Sequence, residues 1–335
     1  MKRAIVGVLS CGLAFTLAAS AQPPVITAVV NGASFQPDFA SNTWVTIFGE
    51  NLASTTRTWN QADFVNGALP TSLDGVSVTT SPSPSVPLSI SPYSSLPAYV
   101  EYISPTQINV LTANISDWTM PDLVYPYGRP WNLNQPSLAV RVTTPAGSAY
   151  FNASGMILPY APAFFTVSPQ NYVAARHADG TLVGRPDLFS GVVSRPARPG
   201  ETIWLYGTGF GPTSPALAPD LQVSAPVALA SCPSVIEFFG LPVPWSLITG
   251  PCPVSIAIGQ PSAWTQPSTP TYAVAIYAGL VETGLYQLNL TVPTLPDGDA
   301  LIVAGIYEVV TGGPTPSCLN VLCQTQTSVW ITIQN

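Results

Sequence analysis

Charge is scarce in this 335-residue chain: Asp, Glu, Lys and Arg make up only 7% of it, while 47% is hydrophobic. Few charges together with a positive mean hydropathy exclude a disordered polar chain, which needs the reverse. Lysine occurs once, at Lys2, and histidine once, at His177. The formal net charge of −7 comes without any basic cluster, so nucleic acid is excluded as a partner. A single histidine leaves little material for a catalytic base or a zinc site. Amphipathic helical periodicity is missing after residue 22, and 37 prolines would interrupt any long helix, which rules out bundles and coiled coils. The 25 glycines follow no three-residue period, so a collagen-like helix is excluded too.

What is present begins with an export signal. Lys2 and Arg3 make a short positive region, residues 4–18 a mostly apolar one, and Ala19-Ser20-Ala21 an A-x-A cleavage site before Gln22. The apolar run is short for a bilayer span and no stop-transfer charge follows it. Removal of residues 1–21 is therefore expected, with no transmembrane anchor in the processed chain. Cys11, after Val8-Leu9-Ser10, faintly resembles a lipoprotein box, but the apolar region continues well past it. The processed chain keeps seven arginines, no lysine and sixteen acids, a formal charge of −9. Such a surface is covered by Ser, Thr, Asn, Gln and backbone rather than by ion pairs, as expected of a secreted or cell-surface protein. Four cysteines remain: Cys232, Cys252, Cys318 and Cys323. An even number in an exported chain predicts two disulfides with three possible pairings, and proximity favours Cys232–Cys252 and Cys318–Cys323. There is no C-x-x-C spacing and His177 lies far off, so neither a metal nor another cofactor is expected.

Short apolar or alternating runs recur along the chain, bounded by Pro, Gly, Asn and Asp. They include Val25–Val30, Trp44–Phe48, Ile108–Leu111, Leu138–Val142, Ile203–Tyr206, Leu285–Val292 and Ala300–Ala304. This pattern predicts an all-β protein, and its size suits two tandem immunoglobulin-like β-sandwiches. An internal repeat supports the division. Val45-Thr46-Ile47-Phe48-Gly49-Glu50-Asn51-Leu52 echoes Ile203-Trp204-Leu205-Tyr206-Gly207-Thr208-Gly209-Phe210. Asn51 and Gly209 are the residue types best able to take positive φ. Gln107-Ile108-Asn109-Val110 echoes Gln287-Leu288-Asn289-Leu290, and, more loosely, Ser137–Val140 echoes Asp299–Ile302. The expected organisation is a signal peptide at 1–21, a first sandwich at 22–168, a connecting segment at 169–198 and a second sandwich at 199–335. Pro196 and Pro199 are expected to make that connection semi-rigid.

Several motifs together resemble a known domain. They are Val29-Val30-Asn31-Gly32-Ala33-Ser34-Phe35, Phe48-Gly49-x-Asn51-Leu52, Leu69-Pro70-Thr71-Ser72-Leu73-Asp74-Gly75-Val76 and Ile103-Ser104-Pro105-Thr106-Gln107-Ile108-Asn109. Pro199-Gly200-Glu201, Leu205-Tyr206-Gly207-Thr208-Gly209 and Gly284-Leu285-Tyr286-Gln287-Leu288-Asn289 continue the likeness over nearly all of residues 25–335. The chain resembles the Solibacter-type C-terminal domain family of secreted acidobacterial proteins, a pair of immunoglobulin-like units related to the IPT/TIG type. The resemblance implies an exported, often surface-associated region, and carries over no catalytic residues. This chain departs from the pattern in an expansion at residues 113–136 and in long cysteine-bearing stretches of the second half.

The expansion carries Trp118, Tyr125, Tyr127 and Trp131, punctuated by prolines and without apolar periodicity. These aromatics could stack on sugars or anchor a protein, or could fold back as a cap on the first sandwich. The Gln107/Asn109 and Gln287/Asn289 pairs share one face of each strand and are expected to bond a neighbouring turn. His177 with Asp179 and Ser190 or Ser194 is the only triad material available, and a histidine bonded to backbone is the simpler expectation; Asp117 and Asp122, close together in a loop, read as solvated charges rather than a glycosidase pair. Asp297-Gly298-Asp299 reads as a turn rather than a calcium site. The leading expectation is a non-enzymatic structural or adhesion-type protein whose partner is an extracellular polysaccharide or a cell-envelope protein. Alternatives are a carbohydrate-binding module using the expanded loops, and a hydrolase whose residues converge only in three dimensions.

Overall fold

The computed structural model describes residues 22–83, 95–115, 137–158, 160–167, 171–217, 220–229, 237–238, 241–242, 255–259, 271–305, 325–326 and 328–335. The protein is all-β. Its first unit contains β1 (Val25–Asn31), β2 (Trp44–Glu50), β3 (Arg57–Thr58), β4 (Ser72–Leu73) and β5 (Val76–Pro82). It continues with β6 (Leu96–Pro97), β7 (Tyr99–Ile103), β8 (Gln107–Leu111), β9 (Ser137–Thr144) and β10 (Gly147–Met156). One sheet runs β1-β2-β8-β7-β3 and the other β10-β9-β5-β4, with β6 added to β5. Taking β1, β2, β5, β7, β8, β9 and β10 as the seven main strands, their order is that of a constant-type immunoglobulin sandwich.

Period-two alternation sets the faces. Along β9, Leu138, Val140 and Val142 turn inward while Arg141 faces solvent. Ile47, Ile108, Val78 and Val140 meet between the sheets as the first core.

The second unit contains β11 (Ala163–Phe164), β12 (Thr166–Val167), β13 (Tyr172–Val173), β14 (Ala175–His177), β15 (Leu182–Val183) and β16 (Ser194–Arg195). Then follow β17 (Thr202–Thr208), β18 (Val227–Ala228), β19 (Glu237–Phe238), β20 (Leu241–Pro242) and β21 (Ser255–Gly259). β22 (Thr271–Glu282), β23 (Leu285–Thr291), β24 (Gly298–Gly305) and β25 (Trp330–Ile333) complete it. Here β14-β17-β23-β22 and β21-β24-β25 repeat the strand order of the first unit. The three echoed sequence segments fall on β2 and β17, on β8 and β23, and on β9 and β24. Asn51 and Gly209 do take positive φ, at 54° and 75°.

In the second unit one strand belongs to both sheets. Residues 271–274 of β22 pair with β21, residues 275–282 pair with β23, and the register shifts between Ala275 and Tyr277. A bulge of this kind bends the strand and lets it change sheets. The first unit divides the same task between β6, which pairs with β5, and β7, which pairs with β8. The second core gathers Ile203, Leu205, Leu288, Ile256, Ile302 and Ile331. An aromatic row crosses it, with Phe164 and Phe210 centroids 6.1 Å apart and Phe210 and Tyr286 5.8 Å apart.

Residues 169–198, expected to connect two sandwiches, instead supply β13 to β16 of the second unit. The Pro196–Pro199 turn closes within that unit. Ala197 is fully buried and donates its N–H to Thr332 O at 2.9 Å, and Gly200 donates to Val292 O at 2.8 Å. The actual handover is far shorter. Leu158 N–H still donates to Phe39 O in the first unit, at 2.7 Å, while Ala161 N–H donates to Gly209 O in the second, at 3.1 Å.

Direct contacts join the units. Trp44 N–H donates to Thr208 Oγ1 at 3.2 Å, and the buried Asn31 amide donates to Ala161 O at 3.3 Å. Leu69 N–H donates to Asp220 O at 2.8 Å and Gln222 N–H to Gly67 O at 3.1 Å. Gly284 (φ +69°) sits so close to the first unit that a Cβ there would stand 2.5 Å from Trp44 Nε1 and 2.6 Å from Leu111 Cδ1. Trp44 in turn packs on Trp59 at 5.9 Å, and Trp59 on Phe64 at 5.2 Å. The junction is held by Gly284 close against Trp44, which these rings back, and by hydrogen bonds between the units rather than by proline stiffness.

Candidate binding surfaces

The aromatic expansion departs from a firm base. Ala113 and Ile115 are buried against the first unit, and Ile115 N–H donates to Ser41 Oγ at 2.9 Å. Trp118, Tyr125, Tyr127 and Trp131 lie outside the described residues, as do Cys232, Cys252, Cys318 and Cys323.

The outer faces of β8 and β23 carry the paired amides, and their partners differ from the turn backbone expected. Gln107 Nε2 donates to Asn109 Oδ1 at 2.8 Å, and Gln287 Nε2 donates to Asn289 Oδ1 at 2.7 Å. Residues two apart on a strand lie on one face, so the same i, i+2 bond forms in both units. In the first unit the row widens. Thr46 Oγ1 also donates to Asn109 Oδ1, at 3.2 Å, and Asn109 Nδ2 reaches Glu101 Oε2 at 3.4 Å. Burial pushes the Glu101 carboxyl up from its ordinary range, against the pull of the Asn109 amide. These amides brace the sheet faces.

His177 is fully buried on β14. Its Nε2 bonds the Arg195 carbonyl at 3.0 Å, while Nδ1 stands 3.2 Å from Glu201 Oε2, outside hydrogen-bond geometry. Of the other candidates, Ser190 is exposed, while Ser194 and Asp179 are committed elsewhere. Ser194 Oγ donates to Arg185 O at 2.6 Å. Asp179 accepts from Thr181 N–H at 2.9 Å and faces Arg195 at 3.4 Å; the Thr181 bonds, chiefly, hold its carboxyl down at about 2. Arg195 also reaches Glu201 at 3.1 Å. The cluster ties β14, the turn after it and the 195–201 segment together, and it does not assemble a nucleophile, base and acid.

Asp297 and Asp299 diverge. Asp297 Oδ1 accepts from the Asn335 backbone at 2.7 Å, whereas Asp299 accepts from Tyr172 Oη at 2.7 Å and Thr332 Oγ1 at 2.8 Å. Burial, and then Asp299, push the Tyr172 hydroxyl up to about 12. Among the described residues no group of three or more His, Cys, Asp or Glu side chains could hold a metal ion.

One cleft had no advance signal in the sequence. A cavity of about 500 Å³ opens on the second unit, with Tyr206, Phe165, Phe189, Leu285, Arg176 and Glu282 among its lining residues. Alternation along β17 buries Ile203 and Leu205 and leaves Tyr206 half-buried on the other face, but the groups that surround it come from distant parts of the chain. Burial raises the Tyr206 hydroxyl above its usual range, with Arg176 lowering it and Glu282 raising it. Both charges therefore act on the same ring.

No protein-family model matches the chain. No curated protein matches it either. Among solved structures, a chimeric titin Z1Z2 functionalised with an exogenous decorin peptide is 10% identical. That match covers 94% of this chain and 98% of the titin chain, with a TM-score of 0.19. The titin domains Z1Z2 in complex with telethonin are 11% identical over 93% of this chain and 98% of theirs, with a TM-score of 0.17. The C-terminal domain of the Streptococcus agalactiae AgI/II polypeptide BspA is 10% identical over 93% and 99%, also at 0.17. At these TM-scores the likenesses bear on neither fold nor function. Among the described residues no helix is long and apolar enough to cross a membrane.

Proposed function

We propose that this chain is an exported, non-enzymatic β-sandwich protein with a structural or adhesion-type role, holding extracellular polysaccharide or a cell-envelope protein. The observation that supports it best is the seam. A protein that holds surfaces together must keep its ends in a fixed relation, and two sandwiches on a loose tether do not. Here Gly284 is pressed against Trp44 and Leu111, and among the described residues hydrogen bonds cross between the units from Trp44, Asn31, Leu69 and Gln222. The lysine-free, acid-rich composition and the resemblance to secreted acidobacterial domains agree with an extracellular setting. The expanded 113–136 segment, rooted beside Ser41 at the same end of the first unit, is the natural place for a recognition surface.

The processed protein, incubated with insoluble polysaccharides and with envelope fractions of the producing cell, should be retained on at least one of them and leave it chemically unchanged. Release of soluble sugar from any of these materials would defeat the non-enzymatic reading.

Export and oxidation carry their own check. Intact mass of the native protein should correspond to a chain beginning at Gln22, and non-reducing peptide maps should pair Cys232 with Cys252 and Cys318 with Cys323. The larger loop should then contribute about 3 kcal/mol on the loop-entropy account. A retained Met1, a lipid mass on Cys11 or four free thiols would contradict it.

A further inference from the structure

We infer that the Tyr206 cleft of the second unit is a binding site for a neutral pyranose residue of a polysaccharide. The cleft's volume, about 500 Å³, falls in the range of small-ligand sites. The backbone at Tyr206 is braced. Tyr206 N–H donates to Ala174 O at 3.0 Å, Phe165 N–H donates to Tyr206 O at 3.0 Å, and Ala174 N–H closes the set on Phe165 O at 2.7 Å. A half-buried tyrosine on so braced a backbone has little freedom to lose on binding, and Phe165 and Phe189 add apolar lining beside it.

The polar groups identify the ligand. Arg176 and Glu282 are exposed, and among the described residues neither takes part in a salt bridge. Both nevertheless act on the Tyr206 hydroxyl, in opposite directions. The lining thus brings together a fork of donors and a pure acceptor whose formal charges cancel. Adjacent hydroxyls on a sugar offer both a donor and an acceptor, while the C–H face of the ring stacks on an aromatic. A polyanion is disfavoured by Glu282 and by the −9 formal charge of the processed chain. A flat aliphatic ligand would leave the arginine and glutamate unanswered.

The inference rests on the adhesive reading only for the source of the sugar, and the two fail separately. Calorimetric titration of the processed protein with cello-, xylo- and manno-hexaose should show millimolar or tighter binding of at least one. Tyr206→Ala and Arg176→Ala should each weaken it by about tenfold or more. Arg176→Ala, an exposed position, should do so with an unchanged melting temperature, and oligogalacturonate should bind no better than the neutral sugars. Absence of binding to all three neutral hexaoses, or binding that survives both substitutions, overturns the site. Retention on envelope material without hexaose binding would sink the cleft and leave adhesion standing. Hexaose binding without retention would do the opposite.

Discussion

Gly155→Ala should be among the most damaging single substitutions in the protein, costing about 3 kcal/mol or more. Glycine is required at that position by space rather than by backbone angle. A Cβ on Gly155 would fall 1.1 Å from Pro37 O, where the 37–39 segment crosses the end of β10. That crossing is fixed on both sides of Phe39, whose N–H donates to Met156 O at 3.1 Å and whose carbonyl accepts from Leu158 N–H at 2.7 Å. Phe39 itself is fully buried in the first core, so the segment cannot lift without exposing it. Urea unfolding followed by tryptophan fluorescence should show a lower midpoint at an unchanged slope. Gly180→Ala is the control: φ is +84° there but nothing lies within 4 Å, so only backbone strain of about 1 kcal/mol is expected. Equal effects at the two positions would contradict the close approach.

The second large effect belongs to the seam. Gly284→Ala should cost about 2–4 kcal/mol, from a positive φ that alanine resists and from a methyl driven against Trp44 and Leu111. Because the obstructing indole belongs to the other unit, Trp44→Ala should relieve part of that cost. A double-mutant cycle should therefore return a coupling of about 0.5–3 kcal/mol. Strictly additive substitutions would show that the two residues do not touch.

The elements legible in the sequence were those with clean alternation. The Ile47, Ile108, Val140, Ile203, Leu288 and Ile302 strands all bury the residues that their period-two patterns assign to the core. Strand β22 shows in the sequence only as the short apolar run Ala273–Tyr277, because its bulge at 276 breaks the alternation that would extend it to Glu282. Strand β10 gave no apolar run at all, since Gly147-Ser148-Ala149-Tyr150-Phe151-Asn152 exposes most of one face. The proline-rich turn at 196–200 looked like a joint because proline restricts the chain wherever it stands. Which parts of the chain that turn meets depends on long-range pairing with β23 and β25, which local composition does not encode.

The candidate sites followed the same rule. The Gln–Asn pairs could be placed on an outer face by spacing, yet their bond to each other emerged only from rotamers. The cleft around Tyr206 could not be picked out, because Arg176 comes to it from β14, Glu282 from β22 and Phe165 from the link between β11 and β12.

Calorimetry of the protein tests the seam most directly. If the two units form one body, heating should give a single transition whose calorimetric and van't Hoff enthalpies agree, and Gly284→Ala should split it into two. Two transitions in the unaltered chain, each indifferent to Gly284→Ala and Trp44→Ala, would show two independent sandwiches and remove the support for a rigid structural or adhesive role.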